Sequence, residues 1–138
     1  MIGQNLMSWY DSLKCCKFLF FGGVKPTHIW NWYRYVTGRD VSLEELMEAG
    51  ERIFVQKRLF NLACGSGPWD DTMPPRILEQ PRDIGTDQPS TPPFAEMLAE
   101  YYRLRHWDPD TGAIAPEVLE RLGLPTPILA ERQPIAVA

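Results

Sequence analysis

The sequence is short of the residues that most protein chemistry relies on, with two histidines and three cysteines in 138 residues. A disulfide framework needs an even set of cysteines, and a closed zinc site needs four ligands, usually built on Cys-x-x-Cys pairs. Neither is present, because the cysteines are Cys15, Cys16 and Cys64, two of them adjacent. Their small number points to a reducing compartment, and taken alone each reads as a small buried hydrophobe. Long apolar runs are also missing. The longest, Phe18 to Val24, falls far short of the roughly 20 residues of a membrane span and contains Gly22 and Gly23. No cationic segment precedes it near Met1 and no small-residue cleavage pattern follows, so neither a transmembrane helix nor a secretory signal is expected. There is no excess of cations either: 14 basic against 18 acidic residues give a net charge of −4 and no field for nucleic acid or an anionic membrane. The chain reads as cytoplasmic, with neither nucleic acid nor membrane as partner.

What is present is a globular composition, 44% hydrophobic and 12% aromatic, of a length that predicts one domain around one core. Twelve of the 13 prolines lie at or after Pro68, so a helix-compatible first half gives way to a segmented second half near Gly65-Ser66-Gly67-Pro68. The predicted class is all-α, an irregular multi-helix domain with long Pro-rich loops in its second half. Leu6, Tyr10, Leu13, Cys16 and Phe20 recur at spacings of three and four, which predicts a helix over about 2–20 closed by Gly22 and Gly23. A second helix is expected over 27–37, after Pro26 and before Gly38. A third, over 43–63, has the clearest start, since Ser42 and Glu45 can form a capping box. Further helices are expected over 93–105, with Thr91 near its cap, and over 116–122, with Pro116 in its first turn and Gly123 past its end. Asp70-Asp71-Thr72-Met73-Pro74-Pro75-Arg76 reads as an extended surface loop, because residues before proline are pushed out of the helical region. Positions 125–138 read as an extended tail. No stretch alternates with a period of two, so no strand is expected.

Few constellations carry chemistry on their own. His28 and His106 have no Ser or Cys at a catalytic spacing and read as solvated or structural. Asp108 and Asp110 lack the glycine and glutamate of a calcium loop, having Ala113 and Leu119 there, so Asp108-Pro109-Asp110-Thr111-Gly112 reads as a turn. Asp70 and Asp71 read as a helix cap or an ion pair with Arg76. The cysteines supply too few thiolates for an iron–sulfur cluster, so either no metal binds or the missing ligands sit elsewhere.

Taken together, several blocks resemble the C-terminal region of the tungsten-containing aldehyde ferredoxin oxidoreductase family. Asp11-Ser12-Leu13-Lys14-Cys15-Cys16-Lys17-Phe18 is similar to that family's Asp-Ser-Leu-Gly-Leu-Cys-Lys-Phe. Val36-Thr37-Gly38, Gly50-Glu51-Arg52-Ile53, Lys57-Arg58-Leu59-Phe60-Asn61 and Asp70-Asp71-Thr72-Met73-Pro74-Pro75-Arg76 follow in the family's order. So do Glu100 to Asp108 and Leu119-Glu120-Arg121-Leu122-Gly123-Leu124, and the likeness spans positions 11 to 124.

The resemblance implies that Cys16 is the last ligand of a [4Fe–4S] cluster whose other cysteines lie in an earlier domain. It implies that Asp11 and the backbone from Leu13 through Lys14 and Cys15 to Lys17 meet the pterin of a bis-pterin tungsten cofactor. The implied reaction oxidises an aldehyde and water to a carboxylic acid and passes two electrons to ferredoxin. The partners are then the upstream domains or subunit of the same enzyme, ferredoxin and the aldehyde, and the chain is a fragment or a separate subunit that is inactive alone. Two departures stand out at this loop. Lys14 replaces a glycine that would permit a left-handed or closely approached backbone. Cys15 replaces a leucine and opens an ambiguity over which thiolate ligates, where Cys16 keeps the family's spacing from Asp11. His106 stands where the family has glycine before tryptophan, and reads as a surface change. A related branch reduces aromatic acyl-CoA thioesters on the same architecture, and a rival of another class is a non-catalytic helical interaction module. An apolar surface is expected around Trp9, Tyr10, Leu13, Phe18, Phe20 and Phe21, where the upstream domains would join.

Overall fold

A computed structural model describes residues 1–81 and 90–125, and among them the regular structure is helical. The helices are α1 (Ile2–Ser12), α2 (Pro26–Thr37), α3 (Leu43–Ala63), α4 (Pro75–Glu79), α5 (Phe94–Arg105) and α6 (Pro116–Arg121), with short 3-10 turns at Lys17–Leu19 and Pro68–Asp70. The expected tail lies outside the described residues from position 126 on, as does the part of the Pro-rich segment from 82 to 89.

Several helix ends follow from local chemistry. The capping box of α3 forms as expected: Ser42 Oγ accepts the Glu45 N–H at 3.1 Å and Glu45 Oε2 accepts the Ser42 N–H at 2.7 Å. Pro26 opens α2, where His28 Nδ1 accepts the Lys25 N–H at 3.1 Å, and Gly38 closes it at φ 67°. The Asp108 carboxylate accepts from the N–H of Asp110 and from both the N–H and hydroxyl of Thr111, which lowers its pKa and holds the predicted turn. The turn brings Trp107 and Ile114 together in an isolated antiparallel bridge.

Four expectations need correction. α1 stops at Ser12 rather than near 20. Pro75 and Arg76 open α4 instead of continuing a loop, because proline is well suited to the first helical position. Thr91 does not cap α5, whose N-cap is Pro93 with no side-chain bond. Instead of one core there are two clusters. Trp9, Tyr10, Ile29 and Leu46 centre the first, and Val55, Tyr102, Trp107, Ile114, Val118, Leu119, Leu122 and Leu124 form the second.

Helix α3, about 31 Å long at 1.5 Å per residue, serves both clusters. Its early Leu43 and Leu46 enter the first, and Phe54, Val55 and Leu59 enter the second. Close approach of α1 to α3 depends on Gly50: a Cβ there would fall on the Asn5 carbonyl oxygen, with the carbonyl carbon at 2.8 Å. From α5, Arg105 reaches α1, donating through Nη1 to Asn5 Oδ1 at 2.9 Å and through Nη2 to Gln4 Oε1 at 2.8 Å. Its guanidinium lies over the Phe54 ring at 4.2 Å.

Arg58, 6% exposed on the face of α3 towards the second cluster, pairs with Asp71 and not, as expected, leaving Asp71 to Arg76. Nη1 lies 2.8 Å and 3.1 Å from the two Asp71 oxygens, Nη2 donates to the Tyr102 hydroxyl at 3.0 Å, and Nε donates to the Gly112 carbonyl at 3.3 Å. The Tyr102 hydroxyl donates in turn to Asp71, and the Trp107 ring lies 4.4 Å below the guanidinium. Asp70 takes the other expected role, accepting the Gly67 N–H at 2.9 Å as a cap.

Two predictions follow from this packing. At an open helix position Gly→Ala stabilises by about 1 kcal/mol. Gly50→Ala is expected to do the reverse, lowering stability by about 2–3 kcal/mol in denaturant titration, because Asn5 is backbone and cannot step aside. Burial, with the hydrogen bond to Asp71 second, pushes the Tyr102 phenol from its ordinary value of 10 up to about 12. A raised folded-state pKa means its contribution is complete below pH 10 and is lost as the pH climbs towards 12. Tyr102→Phe is expected to cost about 1–3 kcal/mol at neutral pH and to remove that alkaline component from the stability curve.

Candidate functional site

The segment that follows α1 is built on one backbone device. Leu13 is the C-cap, Lys14 takes φ 59°, the Lys14 N–H donates to Asp11 O at 3.1 Å, and the Cys15 N–H donates to Tyr10 O at 3.1 Å. This is a Schellman closure, in which the residue after the left-handed position turns back onto the helix and packs against its last turn. That residue is Cys15. It is half-buried in the first cluster, its thiol 3.9 Å from Leu13 O and close enough to the Tyr10 phenol to add to the rise in that group's pKa, most of which comes from burial. Leu13 packs against the same cluster.

The chain then leaves the core. Cys16 is extended (φ −69°, ψ 129°), exposed, and caps the 3-10 turn Lys17–Leu19. Lys17 Nζ lies 3.4 Å from Asp11 Oδ1, an exposed pair that bridges the two ends of the loop and contributes under about 1 kcal/mol. Phe18 and Phe21 are 76% and 86% exposed and touch each other at 5.9 Å between ring centroids, while Phe20 turns inward to stack on Tyr10 at 4.8 Å.

The residues singled out from the sequence are therefore brought together on one loop, with some changes of role. Cys16 is four residues beyond the end of α1, not at the end of a helix running to 20. Trp9 and Tyr10, expected on an exposed apolar surface, are buried at 3% and 0%, so of that set Phe18 and Phe21 carry the exposure. Cys16 and Cys64 are exposed, against the buried-hydrophobe expectation for lone cysteines. Among the described residues no group of three or more His, Cys, Asp or Glu gathers as a metal site, and no helix is long and apolar enough to cross a membrane.

The left-handed backbone also explains the two glycine departures. Lys14 and His106 are the non-glycine residues with positive φ among the described residues, at 59° and 54°. Both stand at the same point of a Schellman closure, since His106 N–H donates to Arg103 O and Trp107 N–H to Tyr102 O. Gly65 and Gly123 hold that place at the ends of α3 and α6. The change at His106 is thus a change in the backbone's ease of turning, not only of surface. Sequence reasoning overlooked Arg58, although its spacing from Phe54, Val55 and Leu59 places it on the apolar face of α3.

The described residues thus form a helical domain that presents Cys16 on a helix-closing loop beside a pair of exposed phenylalanines. The comparisons make this specific. The family model described as aldehyde ferredoxin oxidoreductase, domains 2 & 3, matches residues 1–124. The chain belongs to that family. It is 39% identical over 122 residues to the tungsten-containing aldehyde ferredoxin oxidoreductase of Pyrococcus furiosus and 38% identical to that of Pyrococcus abyssi. In each case the match covers 88% of this chain and 20% of the relative, so the chain spans about a fifth of their length.

Each left-handed non-glycine residue costs about 1–2 kcal/mol of backbone strain, partly offset by the greater unfolded-state freedom of glycine. Lys14→Gly and His106→Gly are each expected to raise stability by about 0.5–1 kcal/mol, read as a higher denaturant midpoint at unchanged slope. Lys14→Ala, which keeps the strain, is expected to give no such gain.

Proposed function

We propose that this chain is the C-terminal part of a cytoplasmic tungstopterin and iron–sulfur oxidoreductase that converts an aldehyde and water to a carboxylic acid. Two electrons and two protons are released, and ferredoxin takes the electrons. Within it the chain supplies one cluster ligand, Cys16, and pterin contacts through Asp11, Leu13, Lys14, Cys15 and Lys17. The observation that carries the reading is the division of labour between the adjacent cysteines. The Schellman closure turns Cys15 into the first cluster and leaves Cys16 exposed as the outward soft donor on the loop.

The donor set fits this assignment. A four-cysteine cluster takes soft thiolates, and one exposed thiol is what a chain completing a site begun elsewhere would contribute. Asp11 and Lys17, paired across the loop, present an acceptor and a cation at its rim, and Lys14 presents a second exposed cation. Such groups suit the donor and acceptor edges of a pterin and the phosphate it carries. When bound, the metal centre would take the electron pair from the substrate and the cluster would carry it onward. The chain's own part is to hold one corner of the cluster on a loop tied to the first core.

The test is iron content. The Pyrococcus furiosus relative, made without the stretch that this chain matches, serves as partner. The isolated chain is expected to retain no stable cluster, and the pair to load iron. Cys16→Ser should remove most of it, with Cys64→Ser and Cys15→Ser close to the parent. Loss through Cys15→Ser with Cys16→Ser harmless would move the ligand by one residue, and an iron-free pair would overturn the assignment.

A further inference from the structure

One stretch of the chain differs from the rest in charge and in what it exposes. From Ser12 to Arg39, 28 residues hold five of the 14 cations (Lys14, Lys17, Lys25, Arg34 and Arg39) and none of the 18 acids. The whole chain is nonetheless net acidic at −4. Within that stretch Phe18 and Phe21 stand out of the loop, and on α2 a second apolar surface appears. Trp32, Tyr35 and Val36, three and four residues apart on one side of the helix, are 49%, 79% and 86% exposed. The first cluster takes Ile29, Trp30 and Tyr33 from α2, so this side has no partner among the described residues. Aromatic and aliphatic groups exposed at this level at neighbouring helix positions mark an interaction surface. The occupant is indicated by length and by charge. The relatives are about five times as long as the stretch that matches, so four-fifths of such an enzyme is available to cover the face. Asp11 and Asp40, just beyond the two ends of the stretch, pair with Lys17 and Arg34, so the net positive charge of this region rests on Lys14, Lys25 and Arg39, and a surface meeting it is favoured when it is acidic.

We propose that the exposed side of α2, together with the Phe18–Phe21 pair, is where this chain docks on the other domains of the oxidoreductase, and that the surface it meets there is acidic. The inference rests on the family reading but not on which cysteine binds iron. Phe18 and Phe21 bring the candidate loop to the junction, and α2 widens the junction beyond that loop. The cations around it steer and orient the two parts, and the apolar side chains hold them.

Binding of the chain to the Pyrococcus furiosus relative lacking the matching stretch, measured by titration calorimetry, tests this. Tyr35→Gln combined with Val36→Gln keeps good helix formers at exposed positions, so α2 should persist by circular dichroism. The pair of substitutions is expected to weaken binding about tenfold or more, as removal of two buried apolar side chains should. Met97→Gln with Leu104→Gln, exposed on α5, is expected to leave binding unchanged. Binding should weaken as salt is raised, and Arg39→Gln should flatten that dependence. Equal binding by the α2 variant, or equal loss in the α5 control, overturns the proposal while iron loading of the parent pair still upholds the cluster assignment. A parent chain that does not bind at all overturns both. A dimer of this chain that the α2 substitutions dissolve would give the face to a second copy and also overturn it.

Discussion

Arg58 is the interaction on which the second half of the molecule depends. A guanidinium taken out of water is tolerated only where its donors are met, and here one carboxylate, one phenol and one carbonyl meet them from three separate segments. Asp71 brings in the loop after α3, Tyr102 brings in α5, and Gly112 brings in the turn before α6. Gly112 sits so close that a Cβ would collide with Arg58 Nη2 and lie 3.3 Å from Pro68 Cδ. The Trp107 ring under the cation closes the arrangement, so that the loop after α3 is tied to α5 and to the turn before α6.

Arg105 does the complementary task between the clusters. Its bonds to Gln4 and Asn5 fasten α5 to α1 while α1 lies against α3 at Gly50, so both clusters are referred to one central helix. The blocks that carry the resemblance acquire plain physical roles in this light. Gly50 permits the close approach of α1, Glu51 pairs with Arg121 at 2.8 Å, and Arg52 Nε donates to the Leu122 carbonyl at 2.7 Å, closing α6. Much of what makes the chain look like its family therefore holds α3 to its neighbours, and the loop after α1 is left as the part that faces outward.

That loop shows how a fold can choose between two identical side chains. Cys15 and Cys16 differ by one position, and periodicity alone placed Cys16 on the buried stripe of a long helix. The left-handed turn at Lys14 ends the helix early and resets the direction of everything after it, sending Cys15 to the core and Cys16 to solvent. Lysine at that place hid the turn, since glycine would have announced it.

What the sequence by itself determined was local: the all-helical class, the span of α2 and of α3 with its Ser42–Glu45 box, the turn at Asp108, and the blocks that point to the family. These rest on neighbours within one helical turn or one loop, and such interactions are written in consecutive residues. Only the tertiary structure decided that the apolar residues divide into two clusters, that Asp71 answers Arg58, that Trp9 and Tyr10 are covered, and that α2 keeps a bare side. Each of these depends on which distant segment arrives opposite a given residue. Burial and charge pairing are properties of that meeting, and periodicity along one strand of sequence does not contain it.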